Sequence, residues 1–339
     1  MESFIAFPKL GWRFAIDGTL AEFTLFGQEI SIKWYGVIIA LGFLLAMIYG
    51  MRRAKSLDID PDRMVDVALV CTVVGFAAAR LYYVLFSPDR AEYFANPVKI
   101  LHVWEGGIAI YGGIIGAFLC GVLMCKLCKV HLPSMMDLAA LGFLIGQSVG
   151  RWGNFFNQEA FGGNTDLPWG MTGNIIQAGV NGSGYDAALP VHPTFLYESL
   201  WCLLGFVLLH MLSKKAYKFK GEIFSLYLVW YGVGRFFIEL TRTDSLMLGK
   251  MKVSCFVAIL TVLLGLLLYT VFRNAQYRSP KTLVAAESTI TLLETEEVLE
   301  GTADEEETEE ESVSADDLAE LAALDGAEEG EVFENGENS

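Results

Sequence analysis

The sequence predicts an all-α polytopic membrane protein with about seven transmembrane helices, an external cap segment and a disordered acidic C-terminal tail. Three observations carry this expectation. Of the 339 residues 53% are hydrophobic and the mean hydropathy is +0.43, more apolar surface than one soluble core of this size can hide. Apolar runs near the ~20 residues needed to cross a bilayer recur seven times. Charge is also segregated: of the 40 acidic residues 21 lie from Glu287 onward, where none of the 24 basic residues falls, so the net charge of −16 hides a mildly basic body over residues 1–286. Such a body suits a protein set among anionic lipids.

Residues 1–33 form an external N-terminal segment without the charged n-region, apolar h-region and small-residue cleavage site of a signal peptide, so the first apolar run is read as a retained span. The spans are expected at about 34–50, 64–86, 108–127, 135–150, 194–212, 222–240 and 253–272. The fourth is short and interrupted by Asp137 and Gln147, which suggests a helix shielded by its neighbours. Orientation follows from the loops after the odd spans. Arg52, Arg53, Lys55 and Arg63, then Lys126 and Lys129, then Lys214, Lys215, Lys218 and Lys220, then Arg273, Arg278 and Lys281 account for 13 of the 24 basic residues. The positive-inside bias puts these loops in the cytoplasm, the N-terminus outside and the C-terminus inside a bacterial-type cell membrane. Within the catalytic-size body, 34–275, the segment 151–193 is rich in Gly and Asn and reads as an external cap or re-entrant excursion. The tail, 276–339, with its acidic block Asp304–Glu311, reads as disordered.

Ionisable residues inside membrane spans mark functional sites by default. Arg80 lies about 16 residues into span two from its cytoplasmic end, Arg235 about 13 into span six, and Glu239 one turn further on. Arg151 ends span four on the outer side. Trp34 and Tyr35, Tyr111, and His192 with Tyr197 begin spans one, three and five there. This common depth predicts one shared cavity in the outer half of the membrane. Arginines in such a cavity imply an anionic ligand, because the guanidinium fork matches a phosphate or carboxylate, and a phospholipid headgroup is the anion found at that depth. Against this stands a plainer reading in which Arg235 merely pairs with Glu239 at i+4 and Arg242 snorkels to the interface.

Other motifs read as structural. Gly112-xxx-Gly116 and Gly142-xxx-Gly146-xxx-Gly150 are small-residue faces for close helix approach. Gly106 to Gly116 lacks the strand–turn–helix context of a nucleotide loop. Cys125 and Cys128 form a CxxC without a second ligand pair, so no metal site and no disulfide framework is expected. His102, His131 and His210 read as interfacial, and Trp104 and Trp230 as belt anchors.

The run Gly150-Arg151-Trp152-Gly153-Asn154-Phe155-Phe156-Asn157-Gln158-Glu159 resembles the signature of the bacterial prolipoprotein diacylglyceryl transferases. The resemblance extends over most of residues 30–275, through Trp34-Tyr35-Gly36, Arg80, Gly106-Gly107-Ile108-Ala109-Ile110-Tyr111-Gly112-Gly113, His192-Pro193-Thr194, Tyr197-Glu198 and Tyr231-Gly232-xx-Arg235-Phe236-xx-Glu239. It implies transfer of the diacylglyceryl group of phosphatidylglycerol to the lipobox cysteine of exported prolipoproteins, with release of glycerol phosphate. It makes Arg151 and Arg235 the essential pair, with Tyr35, Asn154 and Glu159 lining the lipid site. Arg80, Tyr231, Glu239 and His192 join them as substrate-binding residues. Phosphatidylglycerol, prolipoproteins and membrane lipids are the implied partners, with no nucleic acid and no cofactor. Many members have His where this chain has Tyr111, so the base is left among Tyr111, a carboxylate such as Glu159, and water. A transporter or flippase of anionic lipid is the competing expectation, although it should show internal repeats, and none is evident. An intramembrane protease should show an HExxH or GxSxG pattern, which the spans lack.

Overall fold

The computed structural model describes residues 3–25, 28–102, 106–179, 184–243, 247–248 and 251–277. Trp104, Arg278, Lys281 and the acidic tail lie outside the described residues. Two hairpins open the chain: β1 (Phe4–Phe7) with β2 (Trp12–Ala15), and β3 (Thr19–Leu25) with β4 (Gln28–Lys33). There follow α1 (Trp34–Ala54), α2 (Pro61–Phe86), α3 (Arg90–Ala95), α4 (Ile110–Leu127), α5 (Leu132–Asn157), β5 (Thr172–Gly173), α6 (Asn174–Gln177), α7 (Thr194–Lys215), α8 (Glu222–Thr241), β6 (Met247–Leu248), β7 (Met251–Lys252) and α9 (Val253–Tyr277). Seven of these helices, α1, α2, α4, α5, α7, α8 and α9, are long and apolar enough to cross a membrane. Their outward faces carry large exposed apolar residues such as Leu44, Phe76, Leu119 and Leu263, which only a hydrocarbon solvent makes favourable.

The seven expected spans are present, and the start of α2 is fixed by a side-chain cap. Pro61 opens α2 while Asp60 accepts hydrogen bonds from the amides of Asp62 (2.9 Å) and Arg63 (3.3 Å). The fourth span is longer than hydropathy indicates, 26 residues, and continues to Asn157. Asp137, which looked like an interruption, is fully buried and serves another helix. Its carboxylate accepts from Tyr217 Oη (2.6 Å) and from the amides of Gly221 (2.7 Å) and Phe224 (2.8 Å), satisfying the N-terminus of α8.

Glycines set the closest helix contacts. A Cβ at Gly112 or Gly116 would lie 2.2 Å from Tyr82 or Ala78 of α2, and Gly42 of α1 meets Gly146 of α5. Trp230 is not a belt anchor. It stacks on Trp201 with ring centroids 4.3 Å apart, each indole N–H donating to the other's carbonyl at 3.0 Å, and Gly205 and Gly234 leave the room.

The sheet end of the bundle is where α1 starts and α5 ends. There β1 pairs with both β2 and β5, and Ile5 joins Phe155, Phe161, Met171, Val191 and Phe195 in a buried cluster. Gln158 locks this end: its Nε2 donates to Phe4 O (3.1 Å) and Asn174 Oδ1 (2.9 Å), and its Oε1 accepts from the Ile175 amide (2.9 Å).

Candidate active site

Four ionised side chains from three helices meet near the sheet end. Arg151 of α5 and Arg235 of α8 converge on Glu198 of α7, with Arg151 Nη2 at 2.5 Å from Oε1 and Arg235 Nη1 at 3.3 Å from Oε2. Arg235 Nη2 also reaches Glu239 Oε2, 2.6 Å away and one turn on. Both carboxylates are buried, whereas the Arg151 side chain keeps 23% exposure and Arg235 17%. Two cations and two anions balance, which is what makes the cluster tolerable in a low-dielectric setting. The plainer i+4 pairing of Arg235 with Glu239 is present, but it is one edge of a larger arrangement.

Glu198 is the member that sequence reasoning left without a role. It is the fifth residue of α7 and entered the sequence reading only within the Tyr197-Glu198 part of the resemblance. Its burial depends on α5 and α8 packing over it, which no local pattern reveals. An ionisable residue inside a span was nevertheless a usable signal.

The next turn of α5 holds the second group. Asn154 Nδ2 (2.9 Å) and Asn157 Nδ2 (3.1 Å) both donate to Glu159 Oε1. Gln158 and Ala160 adopt left-handed conformations (φ 49° and 54°), folding the chain back so that Glu159 faces the helix it has just left. Tyr35 of α1 lies against Gly153, where a Cβ would come within 2.6 Å of its ring, and is 40% exposed. Tyr231 sits one turn before Arg235 and stacks on Tyr227 (5.9 Å). The structure thus brings Arg151, Arg235, Glu239 and Glu198 into one cluster, and Tyr35, Asn154 and Glu159 around the end of α5.

Three expected members stand apart. Arg80 is the most fully committed of them. Its guanidinium is buried and spends all its N–H donors on backbone carbonyls: Nε on Ile100 (2.9 Å), Nη1 on Gly106 (2.6 Å) and Gly107 (3.0 Å), Nη2 on Lys99 (2.8 Å) and His102 (3.2 Å). A group so committed has no donor left for a lipid. Gly107 (φ 76°) permits the approach, since a Cβ there would sit 2.5 Å from Nη1. Tyr111 is 56% exposed at the start of α4 and makes no hydrogen bond among the described residues. His192 bonds Tyr197 Oη (3.1 Å), which in turn accepts from Trp169 Nε1 (2.8 Å). Burial holds the His192 pKa below its usual 6.5. The single shared cavity expected from common depth is therefore several separate arrangements.

Lysine 252 ends the α8 helix, its Nζ donating to the carbonyls of Glu239 (2.7 Å) and Arg242 (2.6 Å). This cap holds Glu239 in the register that meets Arg235.

A family model described as prolipoprotein diacylglyceryl transferase matches residues 23–271, well over half of the chain. The chain belongs to the prolipoprotein diacylglyceryl transferase family. Several relatives are named phosphatidylglycerol–prolipoprotein diacylglyceryl transferase. One from Staphylococcus xylosus is 40% identical over 261 residues, covering 74% of this chain and 89% of the relative. One from Clostridium novyi (strain NT) is 42% identical over 247 residues, covering 73% and 93%. One from Staphylococcus aureus (strain Newman) is 41% identical over 261 residues, covering 74% and 88%. The family match spans all four ionised residues of the cluster. It leaves out β1, β2 and the first part of β3. The transporter expectation finds no support in this family.

Proposed function

We propose that this diacylglyceryl transferase moves the diacylglyceryl group of phosphatidylglycerol to the thiol of the lipobox cysteine of exported prolipoproteins, at the outer face of a bacterial cytoplasmic membrane. The carrying observation is the convergence of Arg151 and Arg235 on one buried carboxylate in a membrane-spanning bundle. A pair of guanidiniums already aimed at one anion is preorganised for another, the lipid phosphate. The one ion pair Arg151 makes among the described residues is with Glu198, which leaves further donors for an incoming phosphodiester.

In the reaction the cysteine sulfur attacks the glyceryl carbon that carries the phosphate ester. The S–C bond forms, the C–O bond breaks, its electron pair stays on the phosphate oxygen, and glycerol phosphate departs with the proton balance closed by the thiol. Charge grows on the phosphate as it leaves, so the arginines bind the transition state more tightly than the substrate. A thiol of ordinary pKa near 8.5 needs only modest help to ionise. Tyr111, Glu159 and water remain the proton acceptors in this reading, and no metal is required. Tyr35, Asn154 and Tyr231 shape the lipid site, Glu239 orients Arg235, and Arg80 acts by positioning the backbone at Lys99, Ile100, His102, Gly106 and Gly107.

The test is incubation of the purified protein with headgroup-labelled phosphatidylglycerol and a lipobox peptide. The expected products are a thioether-linked diacylglyceryl peptide and labelled glycerol phosphate in equal amounts. Lipid movement between leaflets without either product would overturn the reading. Orientation is checked separately: a cysteine placed at Lys218 should resist a probe confined to the external side, and its labelling there would invert the proposed N-outside, C-inside topology.

A further inference from the structure

A groove of about 340 Å³ runs along α5 between α1 and α7, below the arginine cluster. Leu144 and Ser148 of α5 form its floor, Leu45 and Ile48 of α1 one wall, and Leu203 of α7 the other. Leu144 is fully buried, whereas Leu45 and Leu203 are exposed at the rim, so the groove is mainly apolar and open along its side, with Arg52, one turn beyond Tyr49, the one charged residue that lines it.

Its two ends differ. The upper end reaches Ser148, one turn before Arg151 on α5, and Ser148 Oγ donates to the carbonyl of Ser199 (3.0 Å), the neighbour of Glu198. The groove therefore begins about one helical turn from Arg151. The lower end is shut by contacts between α1 and α7. Tyr49 Oη meets His210 Nδ1 at 2.7 Å, the Tyr49 ring packs edge-on against Phe206, and Arg53 Nη2 donates to the Ser213 carbonyl (2.9 Å). Ile39 of α1 lies against Gly150, marking the level of the arginines. From Ile39 to Tyr49 is ten residues, about 15 Å along the helix. That equals about half of the ~30 Å hydrocarbon core, the reach of an acyl chain in one leaflet.

Resting on the reaction proposed above, we propose that this groove takes one acyl chain of the lipid substrate and that its closed end, Tyr49 with Phe206, limits the chain length accepted. The occupant is a hydrocarbon chain attached to a phosphate held by Arg151 and Arg235. A separate structural lipid would fill the same apolar space but would not be consumed.

The experiment compares transfer from dilauroyl- and distearoyl-phosphatidylglycerol to a lipobox peptide by the full chain and two variants. Leu203→Trp narrows the groove from its exposed rim and should lower the distearoyl-to-dilauroyl rate ratio about tenfold, a range typical of a few methylenes fitted or excluded. Phe206→Leu shortens the closure and should move the ratio the other way, a gain that misfolding does not produce. Ratios unchanged in both variants, whatever the overall rates, would overturn the proposal and leave the groove to a non-substrate lipid. Transfer from neither lipid by the wild-type chain would remove the reaction itself, and the groove's role with it.

Discussion

Arg80 and the Arg151–Arg235 pair are all guanidiniums inside membrane-spanning helices, yet their surroundings differ in kind. Arg80 faces neutral carbonyl dipoles and every one of its donors is taken. Arg151 and Arg235 face carboxylates, share one of them, and retain exposure. Carbonyls on a fixed chain are not exchanged for a ligand, so Arg80 organises structure. A carboxylate and a phosphate present similar oxygens to the fork, so the pair can pass from one to the other. Charge and depth are thus poor guides to role, and the identity of the acceptors decides it.

The largest effect should separate the two regions outright. Arg151→Lys or Arg235→Lys loses the planar fork, and removing about 3–4 kcal/mol of transition-state stabilisation lowers diacylglyceryl transfer on the order of 10²–10³-fold. Thermal stability in detergent should move little. Near-normal transfer, or loss explained wholly by misfolding, would place the pair in the same class as Arg80.

Arg80→Lys should show the opposite pattern. A lysine offers three donors from one point in place of five in a plane. Each lost charged hydrogen bond contributes about 1.5–3 kcal/mol, so the midpoint of thermal unfolding should fall clearly and cleavage by added protease between Lys99 and Gly107 should rise. A stable variant with selectively poor lipid binding would return Arg80 to the substrate site.

Glu198→Gln tests the exchange of anions directly. With Glu239 as the remaining carboxylate, two half-buried cations face one anion, and the expected destabilisation is about 3 kcal/mol. Added phosphatidylglycerol supplies the missing charge and should raise the melting temperature of this variant more than that of the wild type. An equal rise in both proteins would mean that the lipid phosphate does not take the position of Glu198. The smallest effect is expected from Tyr111→Phe, since the hydroxyl has no protein partner among the described residues. A general base contributes roughly 10²–10⁴-fold, so a loss below that range leaves Tyr111 out of proton transfer and a larger one assigns it.

The sequence by itself determined the number of spans, their order and the residues that carry charge into the bundle. Hydropathy over ~20 residues is a local property, and the membrane enforces it without reference to neighbours. It also identified Arg151, Arg235 and Glu239 through the penalty on buried charge. Tertiary structure alone decided which partner each charge meets. Asp137 read as a flaw in a span and proved to be the cap of α8. Glu198 carried no assigned role in the sequence and meets both Arg151 and Arg235 in the fold. Arg80 read as a ligand for lipid, and in the fold its donors meet backbone carbonyls. The first hairpin, β1 with β2, is placed by Gln158 and β5, more than a hundred residues away. In each case the deciding hydrogen bond joins residues distant in sequence, and its geometry exists only once the helices have packed.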